Sequence, residues 1–261
     1  MPEGHMIHRL ARDHQRQFAG RALSVSSPQG RFRDGAEAID GRVLNRVDAR
    51  GKHLFYEWDG PILHVHLGLY GKFRSHPSPP PEPRGAVRLR VIGDEHTFDL
   101  NGPTACELMD HSGLAAIQAR LGPDPLRSDA APDQVWHRIS QSRSAIGKLL
   151  LDQSIIAGVG NVYRAEVLFI LQIHPDRPGS SLCLAEFETL WATLVELMKI
   201  GVKYNRIITA DPAKTGRSRG RMRREERLLV YKKPHCRGCD SPVDSWDLGG
   251  RTIYACTRCQ T

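Results

Sequence analysis

The 261-residue chain has no apolar run long enough to span a bilayer, and its first residues do not set a basic segment ahead of an apolar one. The first absence excludes a transmembrane helix. The second argues against a secretory signal, so a soluble, cytoplasmic protein is expected. No segment repeats at a solenoid period, which excludes a stacked-repeat architecture. There is also no complete dinucleotide fingerprint. LLLDQSIIAGVGNVYRAEVLF, from Leu149 to Phe169, offers Gly158 and Gly160 but has Tyr163 at the third glycine position, and its pattern is helical where a strand is needed. The length suffices for one large domain or two ordinary ones with buried cores.

An acidic excess is equally missing, and the positive charge is unevenly distributed. From residue 201 to 261 there are fourteen Lys and Arg against six Asp and Glu, so the whole formal net charge of +8 sits there. The first two hundred residues balance at 23 of each sign. Such a patch attracts polyanions in a salt-dependent way, although a solvated basic tail or an acidic protein partner would account for it too.

The chain opens MPEGHMIHRLARDH. Pro2 and Glu3 suit the start of a helix, proline at the first helical position and an acid complementing the helix dipole. Ile7, Leu10, Ala11, His14 and Phe18 then recur on one face. Beyond this helix, ILHVHLGLYG and AVRLRVIG alternate with period two, which predicts half-buried strands of an antiparallel sandwich. HPSPPPEPRG, from His76 to Gly85, is a stiff loop. Proline and aspartate cluster from Leu121 to Asp133, where a domain boundary is expected. The organisation read from the sequence is therefore an N-terminal domain over 1–121, a linker over 122–133 and a helical domain over 134–227. That helical domain contains a helix with Phe187, Leu190, Trp191, Leu194 and Met198 on one face, and a mobile basic loop at 205–226. Residues 228–261 form a terminal hairpin.

Six cysteines are present, four of them at the end: CRGC at Cys236 and Cys239, then CTRC at Cys256 and Cys259, sixteen residues apart. Two Cys-x-x-Cys knuckles at this spacing can direct four thiolates at one structural Zn²⁺ and leave no open catalytic position. An intracellular chain makes disulfides the weaker alternative. The segment between the knuckles fits two short strands joined by a Gly-Gly turn, with Arg251 placed after it, where a guanidinium could meet a DNA phosphate or reach into the helix stack. Cys106 and Cys183 have no partners at ligand spacing and read as small buried hydrophobes. The glycine turn before Asn161 can bring backbone amides of a helix start close to a phosphate, or serve only as a structural turn.

Taken together, MPEG, GKHLFYEW with Lys52, HLGLYG, LLLDQSIIAGVGNVYRAE, and VYKKPHCRGC through LGGRTIYACTRCQ stand in the order seen in formamidopyrimidine-DNA glycosylases and endonuclease VIII proteins. The chain resembles that family nearly end to end. The resemblance implies an α+β protein: an N-terminal antiparallel β-sandwich with flanking helices, then a helix-two-turn-helix domain with a zinc-binding β-hairpin, damaged DNA lying in the cleft. It implies a monomeric glycosylase and abasic-site lyase that loses Met1 and uses the Pro2 nitrogen as nucleophile, with Glu3 as proton donor and shuttle. Lys52 matches the family lysine that contacts DNA around the lesion, Asn161 and Arg251 the phosphate clamps. Leu69 and Tyr70 match the side chains inserted where the base is flipped out. Three departures stand out. His5 and Met6 replace the proline and glutamate that often follow. The wedge loop mixes Gly68 of one branch with Leu69-Tyr70 of the other. FDLNGPTACEL lacks the Arg-x-Phe pair. These favour the endonuclease VIII-like branch and oxidised pyrimidines. A catalytically silent relative that binds damaged or single-stranded DNA is the alternative, and a zinc-ribbon adaptor for RNA or protein is a more distant one.

Overall fold

The computed structural model describes residues 2–261; the expected loss of Met1 lies outside the described residues. The chain forms two compact units, residues 1–3 with 7–120, and residues 4–6 with 121–261.

Helix α1 (Gly4–Phe18), whose first three residues count with the second unit, buries Ile7, Ala11, His14 and Phe18, while Leu10 is only partly covered. Pro2 and Glu3 are not inside this helix, contrary to the sequence reading. Glu3 is its N-cap residue with extended backbone (φ −120°, ψ 169°), its side chain makes no cap hydrogen bond, and the first turn holds no acid. Two four-stranded antiparallel sheets follow. One has the order β1 (Ser24–Ser26), β6 (Val87–Ile92), β7 (His96–Asn101), β5 (Lys72–Pro77); the other β2 (Leu44–Arg50), β3 (His53–Trp58), β4 (Ile62–His66), β8 (Ala105–Met109). Helices α2 (Arg33–Ile39) and α3 (His111–Ala119) flank them.

The apolar alternation is as expected, with Val87, Leu89, Val91, Leu63 and Val65 all buried. The polar positions between them are not a solvated face, however. Arg90 is buried and pairs through two bonds, 2.6 and 2.8 Å, with Asp99, its register partner on β7. His64 is buried between His53 and Glu107. Charged and imidazole groups enter a sheet interior when each finds a partner there.

In the second unit α4 (Pro132–Ser140), α5 (Ile146–Leu149), α6 (Asn161–Ile170) and α7 (Leu184–Tyr204) pack around Ile139, Ile146, Leu150, Tyr163, Leu168, Leu190, Leu194 and Met198. The expected linker does not begin as a tether. Gly122, Pro123, Asp124 and Pro125 are buried, the Gly122 amide donates to the Gln153 carbonyl and Pro123 accepts from Ala157, so the chain joins the second unit from Leu121. Nor is 205–226 an unstructured excursion: it carries α8 (Pro212–Thr215) and two 3₁₀ turns, fixed by a small core of Ile208, Ala210 and Met222. Those three apolar residues, scattered among arginines, anchor the segment. Cys183 is exposed at the N-cap of α7, not buried as expected, because the helix start there faces outward; Cys106 is partly covered. The unit ends in the hairpin β9 (Asp244–Asp247) and β10 (Thr252–Ala255). Among the described residues no helix is long and apolar enough to cross a membrane.

Candidate active site and nucleic-acid interface

Four of the sequence-predicted residues lie in the first unit besides Pro2. Glu3 is fully buried (0 % exposed) at the head of α1. The positive end of a helix favours a negative charge there. Pro2, next to it, is partly exposed. Lys52 follows Gly51, whose φ of +59° makes the tight β2–β3 turn possible. Leu69 and Tyr70 stand on the turn after β4 and are 50 % and 86 % exposed, unusual for side chains of this size.

That turn is stiff. The Gly71 amide donates 2.9 Å to the Leu67 carbonyl, and a Cβ on Gly71 would sit 2.3 Å from the same oxygen. A Cβ on Gly68, at φ +63°, would meet the Thr104 hydroxyl at 1.9 Å. Thr104 itself belongs to the three-residue link between β7 and β8, and its amide donates to the His66 carbonyl. Two apolar side chains are thus held out on a braced scaffold, where little ordering entropy remains to be lost on inserting them into a partner.

The second unit brings the two expected phosphate contacts together. Gly160 caps α6 and Asn161 is its first residue. The Asn161 side-chain amide donates 2.9 Å to the carbonyl of Thr252, the residue after Arg251, and Arg251 is exposed just past the Gly249–Gly250 turn. Gly4 also belongs here: its amide donates 2.8 Å to the Gly158 carbonyl, and a Cβ on Gly4 would lie 2.8 Å from the Gly158 Cα. The glycine of MPEG is therefore required by the glycine turn ahead of Asn161.

The cysteine sulfurs of 236, 239, 256 and 259 lie within 4.8 Å of one another, with Cys236–Cys259 at 3.8 Å and Cys239–Cys256 at 3.5 Å. A tetrahedral four-thiolate site with metal–sulfur bonds of about 2.3 Å requires sulfurs about 3.8 Å apart. A disulfide requires about 2.05 Å, and all four cysteines are free. The donor set fits a metal ion.

Comparison with known proteins supplies the deciding observation. Residues 1–104 match the formamidopyrimidine-DNA glycosylase N-terminal domain, and residues 121–212 the formamidopyrimidine-DNA glycosylase H2TH domain. The chain belongs to the formamidopyrimidine-DNA glycosylase family. Within it, the chain is 50 % identical over the full length of both proteins to Endonuclease 8 1 of Mycobacterium tuberculosis, and 32 % identical, again over the full length of both, to Formamidopyrimidine-DNA glycosylase of Methylococcus capsulatus. The higher identity agrees with the endonuclease VIII-like branch favoured by the three sequence departures taken together. The fold is that of the Lactococcus lactis Fpg solved with abasic-site DNA, with a TM-score of 0.82 at 22 % identity and 99 % of each chain covered.

In this family member the sequence reading missed two residues of α6. Arg164 is fully buried (0 % exposed) and donates to three carbonyls, Gly147 at 3.0 Å, Leu248 at 2.8 Å and Arg251 at 2.9 Å. It ties the hairpin turn, and Arg251 in particular, to α5 and α6. Glu166, also buried, accepts from the amides of Leu229, Val230 and Tyr231 at 2.8–2.9 Å and from the Thr209 hydroxyl. It holds the segment leading into the first knuckle. The signal was legible: VYRAEVLF is apolar around the helix, so its two charges have no solvent face and must be paired inside. Arg164→Met leaves the buried Gly147 carbonyl and the part-buried Leu248 and Arg251 carbonyls without their donor, so a loss of about 3–5 kcal/mol is expected for the second unit. Thermal denaturation should show it, with a lower affinity for DNA even at temperatures where the variant is folded.

Proposed function

We propose that this chain is a bifunctional DNA glycosylase and abasic-site lyase of base excision repair, acting on oxidised bases with a preference for pyrimidines. The observation that carries the reading is the buried Glu3 carboxylate at the head of α1, directly after Pro2. A nucleophile and a proton donor adjacent in the chain, one partly exposed and one sealed off, are what imine chemistry at a sugar requires.

The secondary amine of Pro2, once freed of Met1, attacks C1′ of the damaged nucleotide. The base departs with the proton that the attacking amine gives up, and the nitrogen lone pair then opens the sugar ring to an iminium as Glu3 gives its proton to O4′. The resulting iminium withdraws electrons from C2′, whose proton is then removed, and the 3′ phosphate leaves by elimination. A free α-amine titrates near about 8, far below a lysine, so a neutral nucleophile is present at physiological pH. Lys52 meets the DNA around the lesion, while Asn161 and Arg251 grip the phosphates of the bent strand. Leu69 and Tyr70 fill the space of the flipped nucleotide, offsetting the few kcal/mol of lost stacking. The chain works as a monomer.

The pyrimidine preference is supported by the β7–β8 link. Only Gly102, Pro103 and Thr104 join these strands, too few to carry a second inserting pair against the opposite base. One Zn²⁺ held by Cys236, Cys239, Cys256 and Cys259 supplies folding energy to the hairpin and takes no part in bond making.

Borohydride reduction during incubation with abasic-site duplex tests the reading. A covalent adduct mapping to Pro2 is expected, along with release of oxidised pyrimidines. A correctly processed chain that binds this DNA yet forms no adduct is the silent binder.

A further inference from the structure

One face of the first unit's second sheet carries a chain of titratable groups that the proposed chemistry leaves unused. His53 begins β3 directly after Lys52. Its Nδ1 lies 2.9 Å from His64 Nε2 on β4, and His64 Nδ1 lies 3.0 Å from Glu107 Oε1 on β8. The strand register puts these groups on one face, His53 opposite His66 and His64 opposite Glu107. Glu107 is 59 % exposed at the outer end. At the inner end the His66 ring is 4.8 Å from that of His53.

The protons on this chain are fixed by elimination. A carboxylate oxygen accepts, so His64 Nδ1 donates to Glu107. Neutral His64 then has a bare Nε2, which accepts from His53 Nδ1–H. Neutral His53 is left with a bare Nε2, the ring nitrogen that His64 does not engage. A bare nitrogen repels a phosphate oxygen. A protonated one binds it, and the imidazolium so formed passes part of its charge through His64 to Glu107.

We propose that His53 is a proton-gated contact for a DNA phosphodiester beside Lys52, with His64 and Glu107 as the positioning residues that fix its tautomer and counterbalance its charge. This inference rests on the reading that the Lys52 turn meets DNA. The proton comes from solvent and adds to Nε2 as the phosphate arrives; no other bond changes.

In the free protein His53 is neutral. Burial, followed by the charges of His66, His64, Arg120 and Lys52, pushes it down to about 3. Arg50, its register partner on β2, adds another positive group, and the acids on this face are Glu107 on β8, Asp48 on β2 opposite Phe55, and Glu57 further along β3. His66 is lowered as well, by burial and then by His64 and Lys52, so the neighbouring imidazoles compete and one proton is taken, not two. An arriving phosphate removes the imbalance and raises His53. Because the bound state holds the extra proton, affinity strengthens as pH falls through the raised value, by up to about tenfold per pH unit.

The experiment is calorimetric titration with a duplex bearing a tetrahydrofuran abasic analogue, between pH 5.5 and 8, in buffers of different ionisation enthalpy. Uptake approaching about one proton at the acidic end is expected. His53→Gln should abolish it, and Glu107→Gln, an exposed and readily tolerated change, should move its midpoint to lower pH by about 0.5. His137→Gln, on the exposed face of α4, should leave it intact. Nitrogen NMR of the free protein should find His53 protonated at Nδ1. Buffer-independent heats with full binding, or uptake that survives His53→Gln, overturn the proposal while leaving DNA recognition standing. Failure of the duplex to bind at all overturns the underlying reading instead.

Discussion

A chain carrying one extra residue ahead of Pro2 is expected to lose strand cleavage at abasic sites and borohydride trapping by on the order of 10³-fold or more, with its DNA affinity within about threefold of the unextended protein. The extension turns the secondary amine into a tertiary amide, whose lone pair is delocalised into the carbonyl and cannot attack a sugar carbon. Nothing else need change, because the first helical residue is Gly4 and neither Pro2 nor Glu3 lies within the hydrogen-bonded turns of α1. Fold and binding thus become the internal control for chemistry. The same amine sets the acid side of the pH profile: lyase rate should climb with pH as the ammonium form gives way to the free amine, and the climb should vanish in the extended chain along with the activity. Full-rate cleavage by an extended chain, with the extra residue verified by mass spectrometry, would remove Pro2 from the mechanism.

How much of this was legible in the sequence depends on what kind of physical rule each residue obeys. The cysteine knuckles state their own geometry, since two Cys-x-x-Cys pairs at that spacing can turn four thiolates toward one centre. The apolar strand positions were equally readable, as Val87, Leu89 and Val91 show. Their polar neighbours were misjudged because periodicity records which side chains are apolar, not what lies across from the others. Arg90 and His64 look like solvent positions until Asp99 and Glu107, on other strands, are brought alongside them. The head of α1 was misplaced by two residues for a similar reason. Pro2 and Glu3 satisfy local helix-start preferences, but the tertiary fit of Gly4 against Gly158 decides where the helix begins. Local propensity is a weak prior wherever a long-range contact with no room for a Cβ competes with it. The roles of Pro2, Glu3, Lys52 and Asn161 came from family resemblance alone, whereas Arg251 was also singled out by its place after the Gly-Gly turn in a basic segment.

Removal of the metal should produce the other large effect. The hairpin has two four-residue strands, and Ile253 is the main apolar side chain it buries, against Ala165 and Val230. A two-stranded ribbon of that size is at best marginally stable alone, whereas a structural Zn²⁺ contributes about 10–16 kcal/mol of apparent folding energy in comparable peptides. Chelation, or Cys239→Ser, is therefore expected to unfold residues 228–261 while the sandwich and most of the helical core persist. Arg164 would then lose the Leu248 and Arg251 carbonyls it holds, and Asn161 the Thr252 carbonyl, so Arg251 would be disordered and the proposed phosphate contact at Asn161 would lose its support. Affinity for abasic-analogue duplex should fall by about 100-fold or more, with one zinc released per chain. A shallower dependence of affinity on salt should follow, since Arg251 no longer displaces a counterion. Hydrogen exchange would separate this from global collapse, showing lost protection in β9 and β10 and retained protection in β3, β4 and α7. Retained affinity after complete zinc release would mean that the sandwich and helices bind DNA without the hairpin, and would remove Arg251 from the phosphate clamp.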